Sequence, residues 1–444
     1  MNIIQQEFAF LPKIDHKYLV LNQSGIDEKL TQAKLNKEYC LKIAKELEEM
    51  DEEFFKSHYR KTNFKVKQFR FRSIITIFGE IRFRRRQYIS KYTNQKNYYY
   101  VDDKIKLKRY QRISNFMKKE ILERVATDSY QRVADDLDIS KSTVYNLLRF
   151  FRGKILVNPP VTKKAIEFLY VQADECYVSL QKKLPGKKRN KFIIEQITVH
   201  EGVERLCKGR NKLINKTMYS RAHEESLEDF IERVNQHILA SYDYKNIYLY
   251  GDGASWIKSA ADGLGAIYIT DLFHTFQAVN RLTRDKDMRD YLSNAVREDD
   301  FESFEAFKRN MEAENKWTKY RDDSFKFLNN KWDSIQKNYT HPKSVGCSQE
   351  GINSHYYARR LTTTPRGFHH ATARVIAQLI SIKNKATDFK DYLEEYLKPE
   401  AEIPRRNSKS LPDTYVIQQG TIPNNSGTKE QRKFIRDLAN PKIK

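Results

Sequence analysis

Asp252 closes the run Ile247-Tyr248-Leu249-Tyr250 inside the triplet Gly251-Asp252-Gly253, where β-branched and aromatic residues read as a buried strand emerging into a tight turn. Rigid backbone would hold this carboxylate at a sheet edge. Glycine on either side leaves room for a metal ion or a phosphate to approach, although the same triplet also makes ordinary turns. A second strand-like run, AIEFLYVQADECYVSLQ, reaches Asp174 with Glu175 as its immediate neighbour, and alternation along the strand decides which one faces a metal. Glu350 opens a segment with Ser354, His355, Arg359 and Arg360 at near-helical intervals, so one face could offer an acid to a metal and arginines to phosphate. A surface ion pair is the plainer use of that spacing. His274 follows the strand AIYITD at a helix start, from which a near-neutral imidazole could orient a phosphate or a flipped base.

Adjacent carboxylates are costly without a countercharge, and two divalent cations supply one. Oxygen-only ligands select Mg2+ or Mn2+, which bridge protein carboxylates to phosphate oxygens. The four cysteines, Cys40, Cys176, Cys207 and Cys347, form no C-x-x-C pair and have no histidine at zinc-finger spacing, so they read as reduced thiols.

Such acids need a sheet to bring them together. After Asp174 come KFIIEQITVHEG and ERLCKGRNKLINKTMYSR, two further alternating segments, then HEESLEDFIERVNQHILASY, a crossover helix leading to the strand that carries Asp252. Three strands, a helix and a strand outline a mixed α/β, ribonuclease H-like fold, in which the first strand lies beside the fourth. That order sets Asp174 next to Asp252. Trp256 reads as core. The charged stretch from about 280 to 345 reads as solvated helices inserted before Glu350.

Upstream, residues 26 to 55 repeat apolar positions at a spacing near 3.6, a long amphipathic helix. FRFRSIITIFGEIRFRRRQYISKY follows as a β-hairpin turning around Phe78-Gly79-Glu80, with Arg70, Arg72, Arg82, Arg84, Arg85 and Arg86 as candidate phosphate contacts. In TDSYQRVADDLDISKSTVYNLLRF the spacing predicts a helix-turn-helix: Ala134 at the crossing, Ile139 plugging the core and Ser140 capping the second helix. That recognition helix would present Lys141, Ser142, Thr143, Tyr145, Asn146 and Arg149 to a major groove. Asn158-Pro159-Pro160 marks a boundary.

A formal net charge of +23, from 81 basic against 58 acidic residues, makes nucleic acid the first partner to expect. No apolar run nears the ~18 residues that span a bilayer. The first twenty residues lack a basic start followed by an apolar core, so a cytoplasmic protein without a secretory signal is expected.

GDGASWIK after an apolar strand, AIYITDLFH about twenty residues on, and CSQEGINSHYYARRLTTTPRGF together resemble the DDE transposases of ISLre-type insertion sequences, akin to mutator-like transposases. The resemblance covers most of the chain. It implies that Asp174, Asp252 and Glu350 are the catalytic, metal-holding acids and that Asp271-Leu272-Phe273-His274 is the D-x-x-H element, which adds His274 to the site. It further implies cleavage and joining of double-stranded DNA, at element ends and target, by a nucleoid-associated homo-oligomer with two Mg2+ or Mn2+ ions. Arg84, Arg85, Arg86, Arg359 and Arg360 would join the recognition helix in holding DNA. The implied organisation is an N-terminal helical region (1–60), a basic hairpin region (61–105), a helix-turn-helix domain (106–160), the catalytic domain (161–390) and a tail (391–444). A DNA-binding regulator with a silent second domain, or a structure-specific nuclease, are the alternatives.

Overall fold

The computed structural model describes residues 20–22, 25–92, 97–158, 162–182, 190–207, 210–363, 367–383 and 389–397. The chain divides into two compact units, 1–397 and 398–444. The second unit, with most of the expected tail, lies outside the described residues, as do Pro159 and Pro160.

Two short strands, β1 (Leu21–Asn22) and β2 (Gly25–Ile26), precede α1 (Glu28–Lys56), the long amphipathic helix expected from its spacing. Asp27 caps α1 by accepting from the Leu30 N–H at 2.9 Å, and Cys40, Ala44, Leu47 and Phe54 form its buried stripe. After a short helix, α2 (His58–Asn63), comes the hairpin of β3 (Phe64–Thr76) and β4 (Gly79–Ser90). Its turn ends at Gly79, whose φ of 123° favours glycine. One hairpin face carries Ile74, Ile81 and Phe83 into a core with α1, Val101 of α3 (Tyr100–Lys104) and Leu107.

Three capped helices follow. Ser114, Ser129 and Ser140 each accept a backbone N–H at the start of α4 (Asn115–Val125), α5 (Tyr130–Asp136) and α6 (Lys141–Phe150). The turn between α5 and α6 holds Asp138 at φ 50° and packs Ile139 against the core.

The centre of the molecule is a mixed five-stranded sheet in the order β11-β10-β5-β6-β9. Its strands are β5 (Lys164–Ser179), β6 (Lys191–His200), β9 (Thr217–Ser220), β10 (Tyr242–Gly251) and β11 (Ile267–Thr270). β5 pairs antiparallel with β6 and parallel with β10, while β11 extends the parallel side. The long segment 204–221 does not run as one strand. It folds into a separate hairpin, β7 (Val203–Cys207) and β8 (Arg210–Leu213), and only Thr217–Ser220 joins the sheet, because those four residues are all buried.

Both sheet faces are covered, which is why its strands read as nearly continuous apolar runs. On one face Val171, Val199 and Leu249 pack under α7 (Leu227–Ser241) and α8 (Ser255–Gly263) through Phe230, Val234 and Ile257. The charged stretch is a helical unit with a core of its own: α9 (Leu272–Leu282), α10 (Lys286–Arg297), α11 (Glu302–Ala313) and α12 (Lys319–Thr340) close on Val279, Val296, Phe304 and Leu328. Then α13 (Gln349–Ile352) passes directly into an eleven-residue π-helix, Asn353–Thr363, followed by α14 (His370–Lys383) and α15 (Phe389–Leu397). Among the described residues no helix is long and apolar enough to cross a membrane.

Candidate active site

Register brings three acids to one level. Tyr250 of β10 lies opposite Gln172 of β5, so continuing the parallel pairing by two residues sets Asp252 level with Asp174. Gly251 lies opposite Thr270 of β11, and the Asp271 N–H donates to the Gly251 carbonyl at 2.9 Å, which sets Asp271 beside Asp252. Gly251 has to be glycine: a Cβ there would stand 2.7 Å from the Ile257 side chain and 3.1 Å from the Ala173 carbonyl. One acid closes a turn and another starts a helix. The Asp252 carboxylate accepts from Ala254 N–H at 2.8 Å, and Asp271 caps α9 through Phe273 N–H at 3.0 Å.

Asp174, not Glu175, faces the other acids. Glu175 accepts from the Trp256 indole N–H at 2.7 Å and from the Tyr177 hydroxyl at 2.8 Å. Asp174 accepts from the Glu175 N–H and, at 3.1 Å, from the Asn353 amide, which also donates to the Glu175 carbonyl at 2.9 Å. Asn353 opens the π-helix directly after the α13 segment that carries Glu350, and π-helical turns, rare in themselves, are frequently found at functional sites. Glu350 itself is exposed.

Burial pushes the Asp174 carboxyl up to about 6; its two hydrogen bonds oppose that rise, the negative charge of Glu350 adds to it and His274 lowers it. Asp271 is raised chiefly by burial, lowered by the Phe273 N–H and His274, and raised again by Glu350 and Asp252. The His274 Nε2 stands 4.0 Å from an Asp271 carboxylate oxygen. Asp174, Asp252, Asp271, Glu350 and His274 therefore share one electrostatic field.

A cation already borders this site. Lys331 of α12 donates to the Asp252 carbonyl, burial lowers its pKa, and its side chain fills the space that a Cβ on Gly253 would need. Nothing in the sequence flags Lys331 or Asn353, since one sits in a stretch that reads as solvated and the other's role depends on the π-helical turn. Among the described residues no three His, Cys, Asp or Glu side chains converge as a preformed metal site. The donor set nevertheless fits a hard divalent cation, being all oxygen, like-charged and partly desolvated. The half-buried Cys347 thiol, pushed well up by desolvation and by the charges of Asp271, Asp174 and Glu350, is a soft ligand and stands outside this hard-oxygen set.

The profile of an uncharacterised protein family, UPF0236, matches residues 20–395. The chain belongs to this family. UPF0236 proteins of Caldanaerobacter subterraneus subsp. tengcongensis are similar to it: one is 29% identical over 359 residues, covering 78% of this chain and 75% of its own length. Another, whose name joins eleven locus designations, is 28% identical over 408 residues, covering 88% and 85%.

The side chains that the sequence assigns to DNA in this UPF0236 chain fall into two groups. On α6, Lys141, Ser142, Asn146 and Arg149 are exposed, Thr143 is half-buried, and Tyr145 is half-buried with its hydroxyl accepting from Arg152 at 2.8 Å. Arg84 and Arg359 are also exposed. Arg85 and Arg360 are not available to phosphate. Arg85 is buried in a bidentate pair with Asp102 at 2.6 and 2.8 Å and stacks on Tyr99, because odd positions of β4 face the core. Arg86 is held by Asp51 at 2.9 Å and Glu52 at 2.5 Å on α1. Arg360, 2% exposed, turns inward from the π-helix and donates to the Val125 carbonyl at 2.8 Å, its guanidinium over the Tyr130 and Phe368 rings.

Proposed function

We propose that this protein is a DDE transposase that binds the ends of an insertion sequence, cleaves there and joins the freed 3′ hydroxyl to target DNA. The observation that carries the reading is the alignment of Asp174 and Asp252 on adjacent parallel strands, with Glu350 close enough to raise Asp174. The sheet order supports it, since a first strand between its antiparallel second and its parallel fourth is the ribonuclease H-like arrangement. A relative's name that joins eleven locus designations suits a product encoded at many places in one genome.

In the proposed reaction a water or hydroxyl oxygen attacks the phosphorus at the element end. The P–O3′ bond breaks, and the 3′ oxygen leaves and takes up a proton. Asp174, Asp252 and Glu350 would hold Mg2+ or Mn2+, which when bound supplies positive charge to the attacking and leaving oxygens. Asp271 orients His274, which donates to a phosphate oxygen. Trp256 keeps Glu175 away from the reacting groups. The α5–α6 pair serves as the helix-turn-helix, its exposed α6 side chains reading the element ends while Arg84 and Arg359 contact phosphate. The protein works in the nucleoid-bearing cytoplasm as a homo-oligomer on DNA.

The test uses the full chain, duplex DNA carrying the sequences that flank its coding region, and Mg2+. Nicks with free 3′ hydroxyls at the element boundary, followed by joining, are expected. Chelator should stop cleavage while binding persists. Glu350→Gln should abolish cleavage and change stability by less than ~0.5 kcal/mol, as for other exposed positions. Tight binding with no divalent-dependent cleavage would overturn the enzyme reading in favour of a regulator, and cleavage without joining would make it a nuclease.

A further inference from the structure

A groove of about 850 Å³ lies between the β7–β8 hairpin and the α13–π-helix segment. Ser348, Gly351, Ile352 and His355 form one wall, so the groove runs along the same short stretch that carries Glu350. Lys212 and Lys216 stand among the opposing residues, with the side-chain amides of Asn211 and Asn215. No aspartate or glutamate lines it, whereas the groove beside α1 and β4 is bordered by Glu48, Glu49, Asp51 and Glu52.

Two features point to an occupant. Gly351 lies in a helix, where glycine costs about 1 kcal/mol relative to alanine. A Cβ built on it meets nothing within 4 Å, so the fold itself gives no reason for the missing side chain. A groove wall stripped to backbone admits close approach by something outside the chain. The second feature is the mixture of side chains. Leu206 is 51% exposed at the rim and Tyr356 lines the wall, its hydroxyl accepting from Lys216 at 2.8 Å, so apolar and cationic groups interleave. A duplex shows a narrow groove only its sugar-phosphate edge, which leaves the apolar wall unused. Unpaired bases need apolar contact and their phosphates need cations.

We propose that this groove binds a single strand of DNA, the unpaired flank that continues from the phosphate presented to the acids. Lys212 and Lys216 hold its phosphates, the Asn211 amide hydrogen-bonds base edges while Glu201 holds the Asn215 amide at 2.7 Å, and Gly351 lets the strand pass against the helix. The strand's role in a reaction rests on the transposase reading, whereas its binding does not.

Lysine footprinting of the full-length protein in chelator separates the two. Amine acetylation of Lys212 is followed by mass spectrometry with no DNA, with an oligo-thymidine single strand, and with a blunt duplex; exposed Lys245, at the opposite end of β10 from Asp252, is the reference. The single strand is expected to slow labelling of Lys212 at least about fivefold relative to Lys245, and the blunt duplex to leave it unchanged. Gly351→Leu, which the open space around Gly351 accommodates, should remove that protection without lowering the melting temperature. Unchanged labelling with the single strand, protection by the blunt duplex alone, or protection that survives Gly351→Leu would each overturn the proposal. Chemistry is blocked throughout, so protection is read apart from cleavage: protection here combined with no cleavage in the Mg2+ assay would sink the transposase reading and leave the groove standing.

Discussion

Asp174 binds its proton more tightly in the fold than in the open chain, where an aspartate titrates near ~3.9. With the folded carboxyl pushed up to about 6, stability that is fully present below the unfolded value is lost as pH rises through the folded one. Asp174→Asn carries no charge to desolvate. It should match the wild type near pH 4 and exceed it near pH 7 by an amount on the order of 2 kcal/mol, read from thermal melts across that range. Added Mg2+ should narrow the gap by stabilising the wild type alone; a variant no more stable than wild type near neutrality would count against a desolvated Asp174. Asp252 is legible in the sequence because an apolar run that stops at an acid marks a strand end, whereas Asp174 lies inside β5, which runs on to Ser179 against β6 after its parallel pairing with β10 has stopped. The choice of Asp174 over Glu175 is not legible there, because both neighbours are half-buried and what separates them is a hydrogen bond from Trp256, 81 residues away.

The elements carry two further predictions. Along the hairpin, alternating arginines have opposite uses, and no local property of the sequence separates them, because the partner Asp102 lies 17 residues beyond Arg85. Arg85→Ala leaves that acid buried without its countercharge and should cost about 3–5 kcal/mol in urea denaturation. Arg84→Ala, exposed over the Phe69 ring, should leave stability almost unchanged and lower the salt dependence of DNA binding by about one log–log unit. Equal destabilisation by both would contradict the two-faced hairpin. The π-helix is equally silent in sequence, since its widened turn depends on hydrogen-bond register. Asn353→Ala removes a bond that favours the charged form of Asp174, so its carboxyl should titrate higher. The acidic limb of the cleavage profile should then move to higher pH. A profile lowered at every pH without displacement would assign Asn353 a purely structural part.

At the scale of the whole molecule, the boundary expected near residue 160 does not divide the core. Met117, Val144, Leu148 and Phe151 of the three capped helices share one cluster with Cys176, Tyr357, Ile376 and Leu393. Polar bonds cross the same seam: Arg152 donates to the Thr372 hydroxyl at 2.7 Å, Leu156 N–H to the Gln378 side chain at 2.7 Å, and Lys383 to the Glu123 carbonyl at 3.2 Å. A fragment starting at residue 162 would expose that cluster, so it should be poorly soluble or bind a hydrophobic dye strongly. A soluble, cooperatively melting fragment would show that the two parts fold independently. Periodicity reveals each helix here, but it cannot reveal which distant helix shares its buried face.

The inward Arg360, joining the end of α4 and the first residue of α5 to the π-helix, has a consequence for anyone who would redirect this protein. On the proposed reading, residues 115–151 cannot be exchanged with those of a relative as a block to transfer a DNA preference. The incoming helices would need a matching Val125 carbonyl, Tyr130 ring and apolar face for α14, or the recipient would have to import those partners as well. Exchanging only the outward side chains Lys141, Ser142, Asn146 and Arg149 leaves every one of these contacts in place, so on the proposed reading of α6 that narrow set is where a changed preference is to be sought without rebuilding the interior.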